Sequence, residues 1–284
     1  QSFLYGSDLK NAYKTAKIGV EKYPTHDYWN QKMVEITEWT GKEKEAIKYM
    51  LVLNKTKSTP KLESKLIKKG LSAHQYEKIA KLVEKKAREF PSKKNDEQVT
   101  YVYSQVGTPE KSAIFFEKEY KKDKKKVNKL TQALQIYMDM GDLDSASKIV
   151  KIIENKNLYT LENSKMVAYY YYLKHDMQKS YKILTLIQND KVDEKYYQLK
   201  SDLGWYLKKY KSAADASQEL IKEAKGRYVD YERVVYAYKT VNPKHSLKMS
   251  LDAYNKFQLS YLFYLYVNDA LQQKDYEGVK TLVE

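Results

Sequence analysis

The chain has 284 residues; its 42% apolar content suits a folded protein, while 31% charged residues and few glycines and prolines favour helices over sheets. It contains no cysteine, which excludes disulfides and thiolate metal sites. Nowhere do 18 apolar residues follow one another, so the sequence predicts no membrane-spanning helix.

Helical patterns begin at the first residues. Gln1–Tyr5 is predicted to be the last turn of a helix, and Asp8–Tyr23 the complete helix that pairs with it. From Asp27 to Leu53, two apolar stripes of helical spacing are separated by Gly41, a residue that readily takes a positive φ and often ends a helix. Such short helices are marginal alone, so this stretch is predicted to be an antiparallel pair packed against neighbouring copies of itself.

The copies are visible as a small residue that recurs every 33 or 34 residues. It lies in the second helix of each predicted pair, where it lets the two helices approach to roughly 8–10 Å. The nine positions are Ala12, Ala46, Ala80, Ala113, Ala146, Ser180, Ala213, Ser246 and Val279. Turn signals lie just upstream, at Gly41-Lys42, Gly107-Thr108, Gly141-Asp142, His175-Asp176 and Lys274-Asp275. The aspartates of the last three turns are expected to cap the following helices by accepting free N–H groups.

The middle of the chain follows the same plan less regularly. Pro60–Gly70 is predicted to pair with Tyr76–Phe90, and Glu97–Val106 with Pro109–Tyr120. A lysine-rich run, Lys121–Lys126, then leads into the next predicted helix. The proline after Phe90 ends a second helix because proline cannot continue it.

Helix–turn–helix units with a period of about 34 are typical of the tetratricopeptide repeat (TPR), whereas HEAT and armadillo repeats are longer, at about 40–47 residues. The chain resembles TPR proteins at its small packing residues Ala46, Ala80, Ala87 and Ala146, and at turns such as Gly141–Leu143, although the family's early Trp and its Leu-Gly pair are mostly absent. The resemblance implies an all-α, right-handed α-solenoid of about eight TPR-like antiparallel helix pairs.

The domain organisation follows from the same resemblance. Residues 1–284 are expected to form a single TPR-like superhelical domain. Both ends cut through a repeat, since the chain starts in a helix turn and closes on Val279–Glu284, inside a second helix. We therefore expect the chain to be a fragment of a longer repeat array.

Positive charge is concentrated in one region. Residues 42–129 contain 24 Lys+Arg against 12 Asp+Glu, and thus contribute +12 of the net +15. One interpretation is a solvated, highly charged helix exterior. The other is an anion-facing surface for nucleic acid, lipid headgroups or an acidic partner. Lysine dominates here, whereas sequence-specific nucleic-acid-binding proteins depend on the bidentate hydrogen bonds of arginine guanidinium groups. We therefore expect no specific nucleic-acid binding.

Tyrosine is concentrated in the other half: 19 of the 29 tyrosines lie from Tyr159 to Tyr276. In the family that the chain resembles, the first helix of each pair lines a concave surface at fixed positions. Counted back from the small residues, these positions are Tyr169, Tyr172, Trp205, Tyr206, Tyr228, Tyr231, Tyr238, Tyr261 and Tyr264. Equivalent earlier positions hold Gln98, Val102 and Gln135, so the earlier part of the groove is expected to be polar. Tyrosine combines a flat apolar face with a hydroxyl, so these nine residues are predicted to bind a partner in an aromatic groove; the alternative is that they fill space between hairpins.

Nothing in the sequence indicates catalysis. The four histidines, His26, His74, His175 and His245, are far apart and lack a metal-ligand partner at i+3 or i+4. Nucleophile-elbow, phosphate-loop and zinc-protease motifs are absent. We therefore expect neither enzyme activity nor a cofactor or metal.

A narrower resemblance concerns Glu38–Ile47, where Trp39, Gly41, Glu45 and Ala46 follow a W-x-G-x-x-x-E-A pattern. It looks like the periplasmic TPR region of Pel-type exopolysaccharide export porins, and implies a scaffold that recruits a polysaccharide-modifying enzyme and guides the polymer to an outer-membrane pore. On this reading the partners are a protein, a polysaccharide or both, and the location is periplasmic. One alternative is a generic TPR adaptor that binds a peptide segment and could be cytoplasmic. The other is a repeat protein that binds single-stranded RNA.

Overall fold

The chain folds into α-helices joined by short turns, as seen in a computed structural model that describes residues 8–187 and 193–283, without the side chain of Val283. Within these ranges the helices are α1 (Leu9–Lys22), α2 (Asp27–Trp39), α3 (Glu43–Thr56), α4 (Pro60–Ser72), α5 (Tyr76–Glu89), α6 (Lys93–Val106), α7 (Glu110–Lys122), α8 (Val127–Asp139), α9 (Leu143–Asn155), α10 (Leu161–Leu173), α11 (Met177–Thr185), α12 (Glu194–Tyr206), α13 (Tyr210–Lys222), α14 (Tyr228–Tyr238), α15 (Pro243–Phe257), α16 (Ser260–Gln272) and α17 (Tyr276–Val283). The predicted turn at Gln1–Tyr5 and the final Glu284 lie outside the described residues.

The helices form two compact units, Gln1–Asp142 and Leu143–Glu284. In each unit, every described helix packs against the next one along the chain. Because the connections between them are short, these neighbouring helices are antiparallel. The all-α prediction and the prediction of α-solenoid repeats are confirmed. Within the described ranges, every helix is too short or too polar to cross a lipid bilayer.

The recurrent small residues lie where the sequence places them. Eight of the nine are buried, and six of them have no exposed surface, namely Ala46, Ala113, Ala146, Ser180, Ala213 and Ser246. The ninth, Val279, is half-buried. The two serines of the series satisfy their hydroxyls internally: Ser180 donates to the carbonyl of Ala168 at 2.7 Å, and Ser246 donates to Asp269 Oδ2 at 2.6 Å. Burial of a small side chain in the second helix therefore fixes the period of the fold.

The turn inside each pair is also repeated. A residue one or two positions after the first helix takes a positive φ at seven turns, at Gly41, His74, Gly107, Gly141, His175, Lys208 and Lys274. The following residue then donates its N–H to the carbonyl five residues back, as Lys42 does to Thr37 at 2.8 Å and Lys209 to Gly204 at 2.7 Å. This is the Schellman arrangement, which satisfies the last carbonyls of a helix. The predicted caps at Asp176 and Asp275 are present: each carboxylate accepts from the N–H three residues on.

One boundary differs from the prediction. Helix α6 begins at Lys93 rather than Glu97. The side chain of Ser92 accepts from the N–H of Asn95 at 3.2 Å, so this serine caps the helix and starts it one turn earlier.

Candidate binding surface of the second unit

The first helices of the pairs in the second unit, α10, α12, α14 and α16, carry a row of exposed aromatic side chains. Tyr206 is 70% exposed and Tyr264 is 65% exposed. Four more of the predicted residues are exposed, namely Tyr169, Tyr172, Tyr228 and Tyr261, and Trp205 and Tyr238 are half-buried. Large aromatic side chains that remain exposed in a folded unit are available to a partner.

Tyr231 does not belong to this surface. Its side chain is only 6% exposed and packs edge-on against Phe257 of α15, with 5.7 Å between the ring centroids. Tyr238, half-buried, donates to Asp215 at 3.1 Å and lies against His245. Besides Tyr228, the exposed ring on α14 is Tyr236, at 57%, which the sequence did not indicate.

The cause is the spacing in sequence between the starts of the two helices of the pair. The caps that precede α12 and α13, Asp193 and Lys209, are 16 residues apart (209 − 193), whereas those that precede α14 and α15, Arg227 and Asn242, are 15 apart (242 − 227). A position on α14 that is found by counting back from the small residue of α15 therefore lies one residue closer to the start of its helix than the matching position on α12. One residue is about 100° of helix rotation, which is enough to exchange a core position for a surface one.

The opposite shift occurs in the first unit. There, the caps Ser92 and Pro109 are 17 residues apart (109 − 92). A position on α6 that is found by counting back from the small residue of α7 therefore lies one residue farther from the start of α6. Val102, predicted to line the groove, is fully buried, and Tyr101 is exposed in its place. The expected polar character of this part of the groove is thus interrupted by one aromatic side chain.

Ring contacts join the first helices to one another. Trp205 of α12, Tyr210 of α13 and Tyr236 of α14 meet edge to face, with centroids 4.9–5.2 Å apart. Tyr228 of α14 meets Tyr261 of α16 at 6.1 Å. These geometries are the favoured ones for aromatic pairs and stabilise the positions of the rings that take part in them. We use the name aromatic surface for eight side chains. They are the half-buried Trp205 and the exposed Tyr169, Tyr172, Tyr206, Tyr228, Tyr236, Tyr261 and Tyr264.

A polar network lies against Trp205 of the aromatic surface. Asp202 accepts from Arg227 at 2.9 Å and from Arg233 at 2.6 Å, and the Arg233 guanidinium lies over the Trp205 ring at 5.8 Å. The carboxylate of Asp230, fully buried, accepts from Arg227. Burial alone would raise the pKa of Asp202, but the hydrogen bonds from the two arginines outweigh it and hold this pKa below its ordinary value. The network therefore fixes α12 against α14.

We expect Asp202→Asn to loosen this support. Because the pKa of Asp202 is lowered in the folded state, its contribution to stability is present above pH 4 and is lost as the pH falls through the folded-state pKa. With the side chain 43% exposed, the loss at pH 7 should be about 1 kcal/mol. Urea unfolding of both proteins from pH 7 to pH 3 measures it. A difference between wild type and variant that persists undiminished at pH 3 would contradict the assignment.

The exposed tyrosines offer unoccupied ring faces. Elsewhere the chain places its own lysines over tyrosines, as with Lys42 over Tyr13 and Lys179 over Tyr171, each at 4.1 Å. Among the described residues, none of the tyrosines of the aromatic surface has such a cation. Their faces can therefore contact apolar or cationic groups of a ligand.

One acidic group stands beside these rings. Partial burial raises the pKa of Glu232 on α14. Partial burial and this neighbouring carboxylate in turn raise the pKa of Tyr261 to about 12. Tyr261 therefore stays a neutral hydrogen-bond donor at physiological pH.

Comparison with known proteins supports the repeat assignment. The tetratricopeptide repeat family model matches residues 156–284. Comparison with curated protein sequences found no match. A chain in the structure of Naa15/Naa10 bound to HypK-THB is similar in fold, with a TM-score of 0.52 at 16% identity over 94% of this chain and 42% of that one. This chain thus spans less than half the length of that protein.

Two further structures are similar over most of this chain. One is a tetratricopeptide repeat protein from Parabacteroides merdae ATCC 43184, at 13% identity, with a TM-score of 0.41 over 91% of this chain and 99% of that one. The other is a chain of the APC/C hetero-tetramer Cut9-Hcn1, also at 13% identity, with a TM-score of 0.39 over 94% of this chain and 47% of that one. The family match thus covers the C-terminal part of the chain, and the 33–34-residue period and the helix pairs of the described residues agree with a tetratricopeptide repeat fold.

Proposed function

We propose that this protein is a non-catalytic scaffold that binds a segment of a partner protein on the aromatic surface of its second unit. The observation that carries the proposal is the row of exposed rings on four successive first helices, with Tyr206 and Tyr264 about two-thirds exposed. Tyrosine and tryptophan are enriched among the residues that dominate the energy of protein interfaces. The repeat fold agrees with this role, since stacked repeats form extended binding surfaces.

The support beneath the rings favours a preformed site. Trp205 is held by Tyr210, Tyr236 and Arg233, and the Asp202 carboxylate is shared by two arginines. Fixed rings lose little conformational entropy on binding, which increases the net affinity of each contact. An extended or helical segment with apolar side chains at regular spacing fits such a row.

The test is selection of a displayed random peptide library on the purified chain. We expect the enriched peptides to share apolar positions, and hydrogen exchange of a selected complex to show protection on α10, α12, α14 and α16. Enrichment of peptides that protect only the second helices, α11, α13, α15 and α17, would overturn the proposal. So would the absence of any enriched pattern.

A second candidate is the narrower role in exopolysaccharide export. The observation that favours it is the pair Tyr169 and Tyr172, which are exposed and nearly parallel, with 15° between their planes and 6.0 Å between their centroids. Flat exposed rings suit the apolar faces of sugars as well as peptide side chains. Under this proposal the protein is periplasmic and its partners are a polysaccharide and its modifying enzyme. Oligosaccharide titrations followed by tyrosine and tryptophan fluorescence test it, and loss of the response in Tyr169→Ala is the expected result.

A further inference from the structure

The positive charge of the first unit lies along one edge. The connections after α3, α5 and α7, with the adjoining helix ends, comprise residues 53–61, 86–94 and 119–128. In each of them Lys and Arg exceed Asp and Glu by three: three against none, four against one, and five against two. The turns inside the pairs, residues 38–45, 69–78 and 104–111, have net charges of −1, +1 and 0. Nine of the net +15 charges of the chain are thus found in three connections.

The topology brings these three connections together. Consecutive helices from α1 to α8 pack against one another and alternate in direction, because each connection is short. The ends of α3, α5 and α7 therefore lie at the same edge of the unit as the starts of α4, α6 and α8. We name residues 53–61, 86–94 and 119–128 the lysine edge.

Half of the twelve cations of the lysine edge are exposed and form no ion pair. Arg88 bonds Glu84 and Glu119, Lys122 bonds Glu119, and Lys124 lies over the Tyr120 ring. Lys93 is 4.0 Å from Glu97, with its side chain 90% exposed. Among the described residues, the exposed lysines of this edge that form no ion pair are Lys55, Lys57, Lys61, Lys94, Lys121 and Lys125.

Helix stability does not account for this pattern. Cations at the last turn of a helix are favourable, and this explains Lys55 and Lys121. Lys61, Lys93 and Lys94, however, occupy the first turns of α4 and α6, where the helix dipole disfavours positive charge. Mutual repulsion along the edge adds to this cost, so the arrangement points to an external anion.

We infer that the lysine edge docks the protein on an anionic lipid surface. Lysine is a flexible point charge that requires no matched geometry, which suits a diffuse layer of lipid headgroups. The single arginine of the edge, Arg88, already binds two carboxylates, so its guanidinium group is not free for bidentate hydrogen bonds to a nucleic-acid base. Phe90 lies in the middle connection and is 61% exposed, and an aromatic side chain beside basic residues suits the headgroup boundary.

The experiment is sedimentation of the protein with vesicles of phosphatidylcholine containing phosphatidylglycerol, with pure phosphatidylcholine vesicles as the reference. The test variant changes one unpaired lysine in each connection, Lys61→Gln, Lys94→Gln and Lys125→Gln. The control variant changes one exposed lysine in each turn of the opposite edge, Lys44→Gln, Lys78→Gln and Lys111→Gln, and so has the same net charge. Far-UV circular dichroism and thermal unfolding check that both variants fold.

We expect wild type and control to bind anionic vesicles alike, and the test variant to partition roughly tenfold or more weakly, since each lysine near an anionic surface contributes severalfold. Binding should fall as salt rises from about 0.1 M to about 1 M, because the Debye length shortens from about 10 Å to about 3 Å. Equal losses in both variants, or no binding to anionic vesicles, would overturn the inference. Tighter binding to single-stranded RNA than to the vesicles, lost in the test variant, would assign the edge to nucleic acid instead.

Discussion

Replacing Tyr206 and Tyr264 together with alanine is expected to weaken binding of a selected peptide by more than about 2 kcal/mol, roughly a 30-fold rise in Kd. The two side chains are the most exposed of the aromatic surface, on α12 and α16. Truncating exposed rings removes contacts with the ligand but little of the core, so thermal unfolding should change only slightly. Isothermal titration calorimetry with the peptide measures the first effect.

The control is a pair of exposed tyrosines elsewhere in the chain, Tyr23 and Tyr276, changed to alanine in the same way. They are 49% and 61% exposed and lie outside the aromatic surface. The control pair should leave the Kd within about twofold of wild type, a difference of about 0.4 kcal/mol. A larger loss in the control pair than in the test pair would place the binding site on another surface.

The second large effect is expected from Ala213→Leu, which should lower the free energy of unfolding by about 1–3 kcal/mol. Ala213 is fully buried in α13, directly opposite Gly204 of α12. The approach is so close that a Cβ added to Gly204 would lie 3.2 Å from the amide nitrogen of Ala213 and 3.3 Å from its Cα. Three extra carbon atoms on Ala213 have no space there, so the two helices must separate.

Lys211→Leu is the matched control, since it introduces the same side chain two residues earlier on the exposed side of α13. Its unfolding midpoint in urea should stay within about 0.5 kcal/mol of wild type. An unchanged midpoint in Ala213→Leu would show that the small-residue series does not mark the closest approach of paired helices. An altered m-value would indicate a change in unfolding cooperativity rather than in packing.

The repeat could be predicted from the sequence because its determinants are local. A buried small residue every 33 or 34 positions, such as Ala46 and Ala113, follows from the space between two helices of one pair. The turn could also be predicted, since Gly41 and Gly141 readily take the positive φ that the Schellman arrangement requires. At His74 and Lys208 the surrounding hydrogen bonds impose the same φ on non-glycine residues, and there the sequence contains no turn signal.

Tertiary structure decided which aromatic side chains are exposed. The starts of α14 and α15 are one residue closer in sequence than those of α12 and α13, which rotates the register of α14, buries Tyr231 and exposes Tyr236. A period of 33 or 34 tolerates that change, so the spacing of the small residues does not reveal it. Likewise, the Asp202 network and the lysine edge join residues from helices and connections far apart in sequence, and only the antiparallel stacking of the helices brings them together.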